Sequence, residues 1–369
     1  MSAESPSAEN PSAEGPSGGA PGRRDPLLVR ALRCEPTERR PLWIMRQAGR
    51  YLPEYRELKK SHGFLGLAGD PELAAQVTLL PFGRFDLDAA IVFADIMSPI
   101  QSLGVEIRFD PGPVLDDPIT SRADLGKLGN PDPDAVAPEV VEALAIVRRR
   151  LDPKVATIGF AGAPLTLSAY LVQGHGKTDF PAPRAFAASD PEGFSQLLGR
   201  LAEVVASFLR RQVEVGGAQA VQVFESWAGL LSGRDWRRLV LPSLSELLQE
   251  VGRSGAPRIL FINHGGPVLD EVIDAHRRGE LPFEALAVDW RHDLGALRER
   301  LGPDTALQGN LDPAVLFTDP DVVRRSAREL IDSVDGRGHV VNLGHGIRPT
   351  APIENVEALV DEVRLYSAR

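Results

Sequence analysis

A single cysteine, Cys34, stands in a chain of 369 residues. One thiol cannot close an intrachain disulfide, and it cannot furnish the thiolate cluster of a zinc or iron–sulfur site. Long apolar runs are missing too. The longest clean one, Ala89 to Ala94, falls far short of the ~20 residues needed to span a bilayer. No cationic start followed by an apolar stretch opens the chain, so no secretory signal is visible and the cytoplasm is the expected compartment. Positive charge is in deficit: 41 Lys and Arg against 51 Asp and Glu leave a formal net charge of −10. That balance argues against a nucleic-acid partner, which needs a broad basic surface. An anionic small molecule remains possible if basic side chains gather in one cleft.

What is present is ordinary for a large globular domain, with 43% hydrophobic and 25% charged residues. Residues 1 to 25 are the exception. Ser-Ala-Glu recurs at Ser2, Ser7 and Ser12 among prolines and glycines. Such a segment has too little apolar surface to offset the entropy of ordering, so a disordered tail is expected, followed by one catalytic domain over 26–369.

Within that domain, short apolar runs alternate with helical patterns. Seven runs read as buried strands: Asp88 to Phe93, Val155 to Phe160, Ala220 to Phe224, Arg258 to Ile262, Leu286 to Asp289, Thr305 to Gln308 and His339 to Leu343. Continuous runs of this kind suit strands covered on both faces. Asp70-Pro71 and Asp190-Pro191 are helix starts, with a capping side chain and proline at the first helical position. After the second, Phe194, Leu197, Leu198, Leu201, Val204, Val205, Phe208 and Leu209 form an apolar stripe at helical spacing, which is core packing. A last helix is expected from about Ile353 to Tyr366. The alternation implies a parallel sheet with helices outside it. Asp95, Glu225-Ser226, Asn263-His264, Asp289, Gln308 to Asn310 and His345 all follow strands. In a (β/α)8 TIM-type barrel these positions share one mouth, so the barrel is preferred over an open doubly wound sheet, with one strand still hidden.

Three segments stand out. Pro41 to Arg56 has neither clean helical nor clean strand periodicity. Arg46 and Arg50 in it suit a carboxylate or phosphate clamp, or equally a pair of surface ion pairs. Gly159 to Gly174 is a small-residue turn after a strand, with Tyr170 in the helix beyond it, either a packed aromatic or a ligand contact. Asn342 to Ile347 leaves His345 between glycines, and no second histidine stands nearby at metal spacing, so a metal site is not expected.

The run from Pro41 to Arg50, with Trp43 and Met45-Arg-Gln-Ala-Gly-Arg50, resembles the first signature of the uroporphyrinogen decarboxylases. Gly159 to Gly174 resembles the second, keeping Gly159-Phe160, Pro164, Thr166 and Tyr170. Phe93 to Asp95, Phe224 to Ser226, Val288 to Trp290, Gln308 to Pro313 and Asn342 to Gly346 match further stretches, so the resemblance runs from about Leu27 to the C-terminus. Leu165 and Gln173 depart from the usual second signature.

The resemblance implies a (β/α)8 barrel, usually a homodimer, that uses no cofactor. It implies that Arg46 and Arg50 contact substrate carboxylates, with Gln47, Ala48 and Gly49 lining the same loop. Asp95 would face the inner NH groups of the tetrapyrrole, and Tyr170, Ser226 and His345 would contact its arms or rings. From spacing alone, Asp95 is also a plausible helix N-cap. Two rivals share features with this reading. A corrinoid-linked methyltransferase would activate a thiol on zinc with cysteine and histidine ligands, and Cys34 lies ahead of the first signature. A non-catalytic tetrapyrrole carrier would keep the arginines but have little use for Asp95.

Overall fold

The computed structural model describes residues 24–109, 112–176, 179–266, 268–334 and 336–366. Most of the expected tail, 1–23, lies outside them. The framework is a parallel sheet of seven strands: β1 (Ala89–Ile91), β4 (Ala156–Gly162), β5 (Ala220–Glu225), β6 (Arg258–Ile262), β7 (Ala285–Val288), β8 (Ala306–Gln308) and β9 (His339–Val340). They pair in that order, each with the next in sequence. β2 (Arg108–Phe109) and β3 (Pro113–Val114) form a separate antiparallel ribbon between β1 and β4. All seven expected strands are found, with ends shifted by a few residues.

The sheet is strongly curled. Gln308 on β8 donates through Nε2 to Oε1 of Gln222 on β5 at 2.9 Å, and Trp43 Nε1 donates to Gln308 Oε1 at 3.0 Å. Three inter-strand steps separate β5 from β8, about 14 Å in a flat sheet. The two amides meet because the inner face is concave. The Pro41–Leu42 stretch lies at both edges of the sheet. Leu42 bridges Val341 in parallel, Val341 N donates to Pro41 O at 2.9 Å, and Asp88 N donates to Leu42 O at 2.9 Å.

The helices obey the local signals. Asp70 accepts from Leu73 N at 2.9 Å to cap Pro71–Leu79, and Asp190 accepts from Gly193 N at 3.0 Å to cap Pro191–Glu214. The stripe of that second helix is buried over its whole length, from Phe194 to Leu209. The last helix spans Ile353–Tyr366. No helix among the described residues is long and apolar enough to cross a membrane.

Candidate active site

The first signature is a turn held at every step. Met45 N donates to Asn342 Oδ1 at 2.9 Å, Ile347 N donates to Met45 O at 2.9 Å, and Gln47 N donates to Ile44 O at 2.8 Å. Arg46, between them, has a φ of +65°, a left-handed conformation that costs a non-glycine residue of order 1 kcal/mol and persists only where neighbours enforce it. The segment is therefore a turn and not a helix. Gly49 is required by proximity: a Cβ there would come within 2.7 Å of the Arg46 carbonyl oxygen. Gln47 is fully buried and its amide is spent on the scaffold, accepting from Ile44 N and donating to Ala89 O, each at 3.0 Å. Among the described residues, the backbone N–H groups of Ala48, Gly49 and Arg50 have no protein acceptor. Successive free N–H groups at a turn suit an anion.

Arg46 reaches water yet is walled in by protein. Burial pulls its guanidinium below the ordinary range, and the like charge of Arg50 acts in the same direction, with Arg348 adding to it. Its stem lies over Gly346, where a Cβ would collide with it. Among the described residues, none of Arg46, Arg50 and Arg348 forms an ion pair, although arginines elsewhere pair widely with Asp and Glu. Mutually repelling cations left unpaired in a chain of net charge −10 suit an anion from outside the chain.

Asp95 lies beyond the end of β1 and is half-buried. Its Oδ1 accepts from Met97 N at 2.8 Å, which leaves Oδ2 for a ligand. The short helix Ser98–Gln101 is capped at Met97, so Asp95 makes a local side-chain turn ahead of the cap position. Burial pushes its carboxyl up, while the Met97 N–H and the Arg46 charge pull it back. His345 is pushed down to about 4, first by burial and then by the charges of Arg46, Arg348 and His264, against the opposing pull of Asp289. The ring is therefore neutral near pH 7. Its Nδ1 is buried without a partner among the described residues.

The other rim carries Tyr170 and Ser226. Tyr170 lies on the helix Pro164–Gln173, and its hydroxyl accepts from Trp227 Nε1 at 3.2 Å. Burial raises the phenol, the Trp227 N–H lowers it, and the charges of Asp95 and Arg46 reach it. Ser226 N donates to Thr166 Oγ1 at 2.8 Å, and Ser226 O accepts from Asn263 Nδ2 at 3.3 Å. Thr166 Oγ1 in turn donates to Glu225 Oε1 at 2.5 Å. Glu225 is fully buried, and burial pushes its carboxyl up to about 7.

Arg46 thus lies within electrostatic reach of Arg50, Asp95, Tyr170 and His345, and Ser226 adjoins Tyr170 through Trp227. Gln47 belongs to the scaffold beneath them, and Ala48 and Gly49 offer backbone. Sequence reasoning passed over Trp227 and Arg348 and quoted Glu225 without a role. An indole after a strand reads as core, and a lone arginine reads as surface. Among the described residues, no three of His, Cys, Asp and Glu converge as metal ligands.

Residues 23–366 match the family model described as "Uroporphyrinogen decarboxylase (URO-D)". A protein named uroporphyrinogen decarboxylase from Alkalilimnicola ehrlichii is 42% identical over 350 residues, covering 93% of this chain and 94% of the relative. One of the same name from Sorangium cellulosum is 43% identical over 338 residues, covering 91% and 95%. Among solved structures, a methyltransferase from Methanosarcina mazei superposes with a TM-score of 0.74 at 22% identity, covering 93% of this chain and 99% of that one. At that identity the likeness bears on the fold alone.

Proposed function

Because the chain belongs to the uroporphyrinogen decarboxylase family, we propose that it is a carboxy-lyase of porphyrin and heme biosynthesis that removes the four acetate carboxyl groups of uroporphyrinogen III to give coproporphyrinogen III. The observation that carries this for the site is that the Arg46 guanidinium, without an ion pair among the described residues, stands within reach of the Arg50 and Arg348 guanidiniums and of the half-buried Asp95 carboxylate. A tetrapyrrole with acetate and propionate arms around a ring of pyrrole NH groups presents the complementary pattern, negative outside and donor-rich within.

Losing carbon dioxide leaves an electron pair, and the substrate itself can hold it. Protonation of the pyrrole carbon beside an acetate arm makes that ring cationic. The C–C bond to the carboxylate then breaks, and its electrons neutralise the ring. Protonation of the exocyclic carbon yields a methyl group, and loss of the first-added proton restores the pyrrole. In this reading Asp95 Oδ2 accepts from the inner NH groups, by bonds that strengthen as positive charge develops. Arg46 and Arg50, with the backbone of Ala48 and Gly49, grip carboxylate arms and set which arm reacts. Tyr170 and Ser226 offer hydroxyls, and neutral His345 a ring nitrogen.

The fold is read as a closed (β/α)8 barrel, with Pro41–Leu42 as the eighth stave between β9 and β1. The contacts of Leu42 with Val341 and Asp88 support it. Residues 1–25 are read as a tail outside the catalytic domain, in keeping with a family match that begins at residue 23. A cytoplasmic homodimer rests on the family resemblance. The direct experiment is to incubate the protein with uroporphyrinogen III and follow coproporphyrinogen III. Folded protein that forms none would refute the assignment.

A further inference from the structure

Trp227 stands just past the end of β5, in the loop between Ser226 and the short 3-10 helix Ala228–Leu230. Two ring contacts flank its indole. Phe180 packs at 4.7 Å between ring centroids and 55°, and His264 lies parallel at 6.2 Å and 3°. Its main chain lies beside the Glu225 carboxyl, close enough to pull that group's pKa down against the effect of burial. The loop packs closely on its neighbour: a Cβ on Gly229 would collide with the His264 carbonyl. His264 is itself held in a left-handed conformation, φ +54°, with its N–H donating to the buried Asp289 Oδ2 at 2.7 Å. The indole N–H is therefore preorganised, and it ends on the Tyr170 hydroxyl at 3.2 Å.

We propose that Trp227 is a positioning residue that acts through Tyr170. A phenol has one proton and two lone pairs. With one lone pair taken by the indole N–H, the phenolic hydrogen is turned away from Trp227. The edge-on contact with Phe180, at 5.4 Å and 85°, restrains the ring plane. Tyr170 is thereby held as a donor toward the cleft, where Asp95 and Arg46 are the charged groups nearest in effect. The same bond stabilises the oxygen if negative charge develops on it. Tyr170 then presents a fixed O–H to the substrate, as preorganised sites require.

This inference rests on Tyr170 facing the substrate, so the test separates the two ideas. Trp227→Phe keeps an aromatic against Phe180 and His264 but removes the N–H, and Trp227→His restores a ring donor. Both are compared in the parental chain and in a Tyr170→Phe background, with circular dichroism and thermal melting as a check on folding. We expect Trp227→Phe to lower kcat about tenfold, the scale of one hydrogen bond, with KM changing less. Trp227→His should recover part of the loss, and Trp227→Phe should cost nothing further once Tyr170 is Phe. An equal loss in both backgrounds would make Trp227 a packing residue and overturn the proposal, as would parental turnover in Trp227→Phe. If the Phe variant fails to fold, the His variant decides alone: it must be active with the Tyr170 hydroxyl present, and its residual defect must vanish without it. Parental turnover in Tyr170→Phe itself would refute the placement of Tyr170, separately from anything Trp227 does.

Discussion

Asp95 combines an observed duty with a proposed one, and one carboxylate can hold both at once. Oδ1 closes the turn to Met97, and Oδ2 is left for the cleft. Asp95→Asn keeps the size and one acceptor while removing the charge. A neutral substrate ring would lose little by the change, whereas a protonated ring would lose its counter-charge in a partly desolvated site. We expect turnover to fall at least ~10²-fold, the scale seen when one preorganised electrostatic partner is lost, with binding weakened less. Measuring kcat and Kd separately on folded protein checks this, and near-parental turnover would reduce Asp95 to its turn-forming role. Glu225 makes a different demand. Its carboxyl is raised from 4.5 to about 7 by burial, so the folded state holds its proton more tightly than the unfolded one. The stability this gives is present in full below about 4.5 and is lost as pH rises through about 7. Glu225→Gln removes that dependence. Relative to the parent, the variant should gain up to about 3 kcal/mol between pH 5 and pH 8.5 in urea titrations; parallel profiles would show that Glu225 is charged and satisfied. The sequence placed Glu225 at a strand end but not its burial, because a glutamate at the end of an apolar run gives no sign of whether the strand end is wet or dry.

At the scale of elements, the site is assembled by two segments that neither hold nor present anything alone. The turn from Met45 to Arg50 is fixed by Asn342, and the Asn342–Ile347 loop is fixed in return by Met45 O. Gly346 is where they touch, beneath the stem of Arg46. Gly346→Ala should therefore displace Arg46 without unfolding the sheet core: KM rising about tenfold or more, as for a lost charge-assisted hydrogen bond, and a melting temperature close to the parent's. An unchanged KM would mean that Arg46 relaxes freely around the methyl. This mutual support also explains which elements were legible. Strands β1 and β4 to β9 announce themselves because burial on both faces leaves continuous apolar runs, and the capped helices because Asp70 and Asp190 precede prolines. The signature turn has no period of its own. Its shape comes from residues about 300 positions away, which no local pattern encodes, and so the family motif located Arg46 while its left-handed backbone stayed hidden.

For the molecule as a whole, the question is what joins the last strand to the first. Seven strands were readable, and Pro41–Leu42, the stave proposed between β9 and β1, is too short and too mixed to register as a strand. Its pairing is dictated by the edges it meets. Asp88, the residue ahead of β1, is the main fastening. Its carboxylate accepts from Arg39 Nη1 at 2.7 Å and Nη2 at 2.6 Å, and also from Leu42 N at 2.8 Å, while its own N–H donates to Leu42 O at 2.9 Å. Asp88 is 7% exposed, so the pair is shielded from solvent on the carboxylate side. Asp88→Ala would strand the Arg39 guanidinium and the Leu42 N–H together. Breaking a buried pair by removing one partner costs about 3 kcal/mol or more, well above a typical surface substitution. We expect a loss of that size in urea unfolding, with faster amide exchange concentrated at residues 42–44 and a parallel loss of activity, since Arg46 hangs from the same segment. A loss below about 1 kcal/mol, the usual worth of an exposed ion pair, would mean that the seam is closed by packing of Leu42 and Ile44 alone. Faster exchange in the outer helices but not at the seam would count against Pro41–Leu42 as a stave of the barrel.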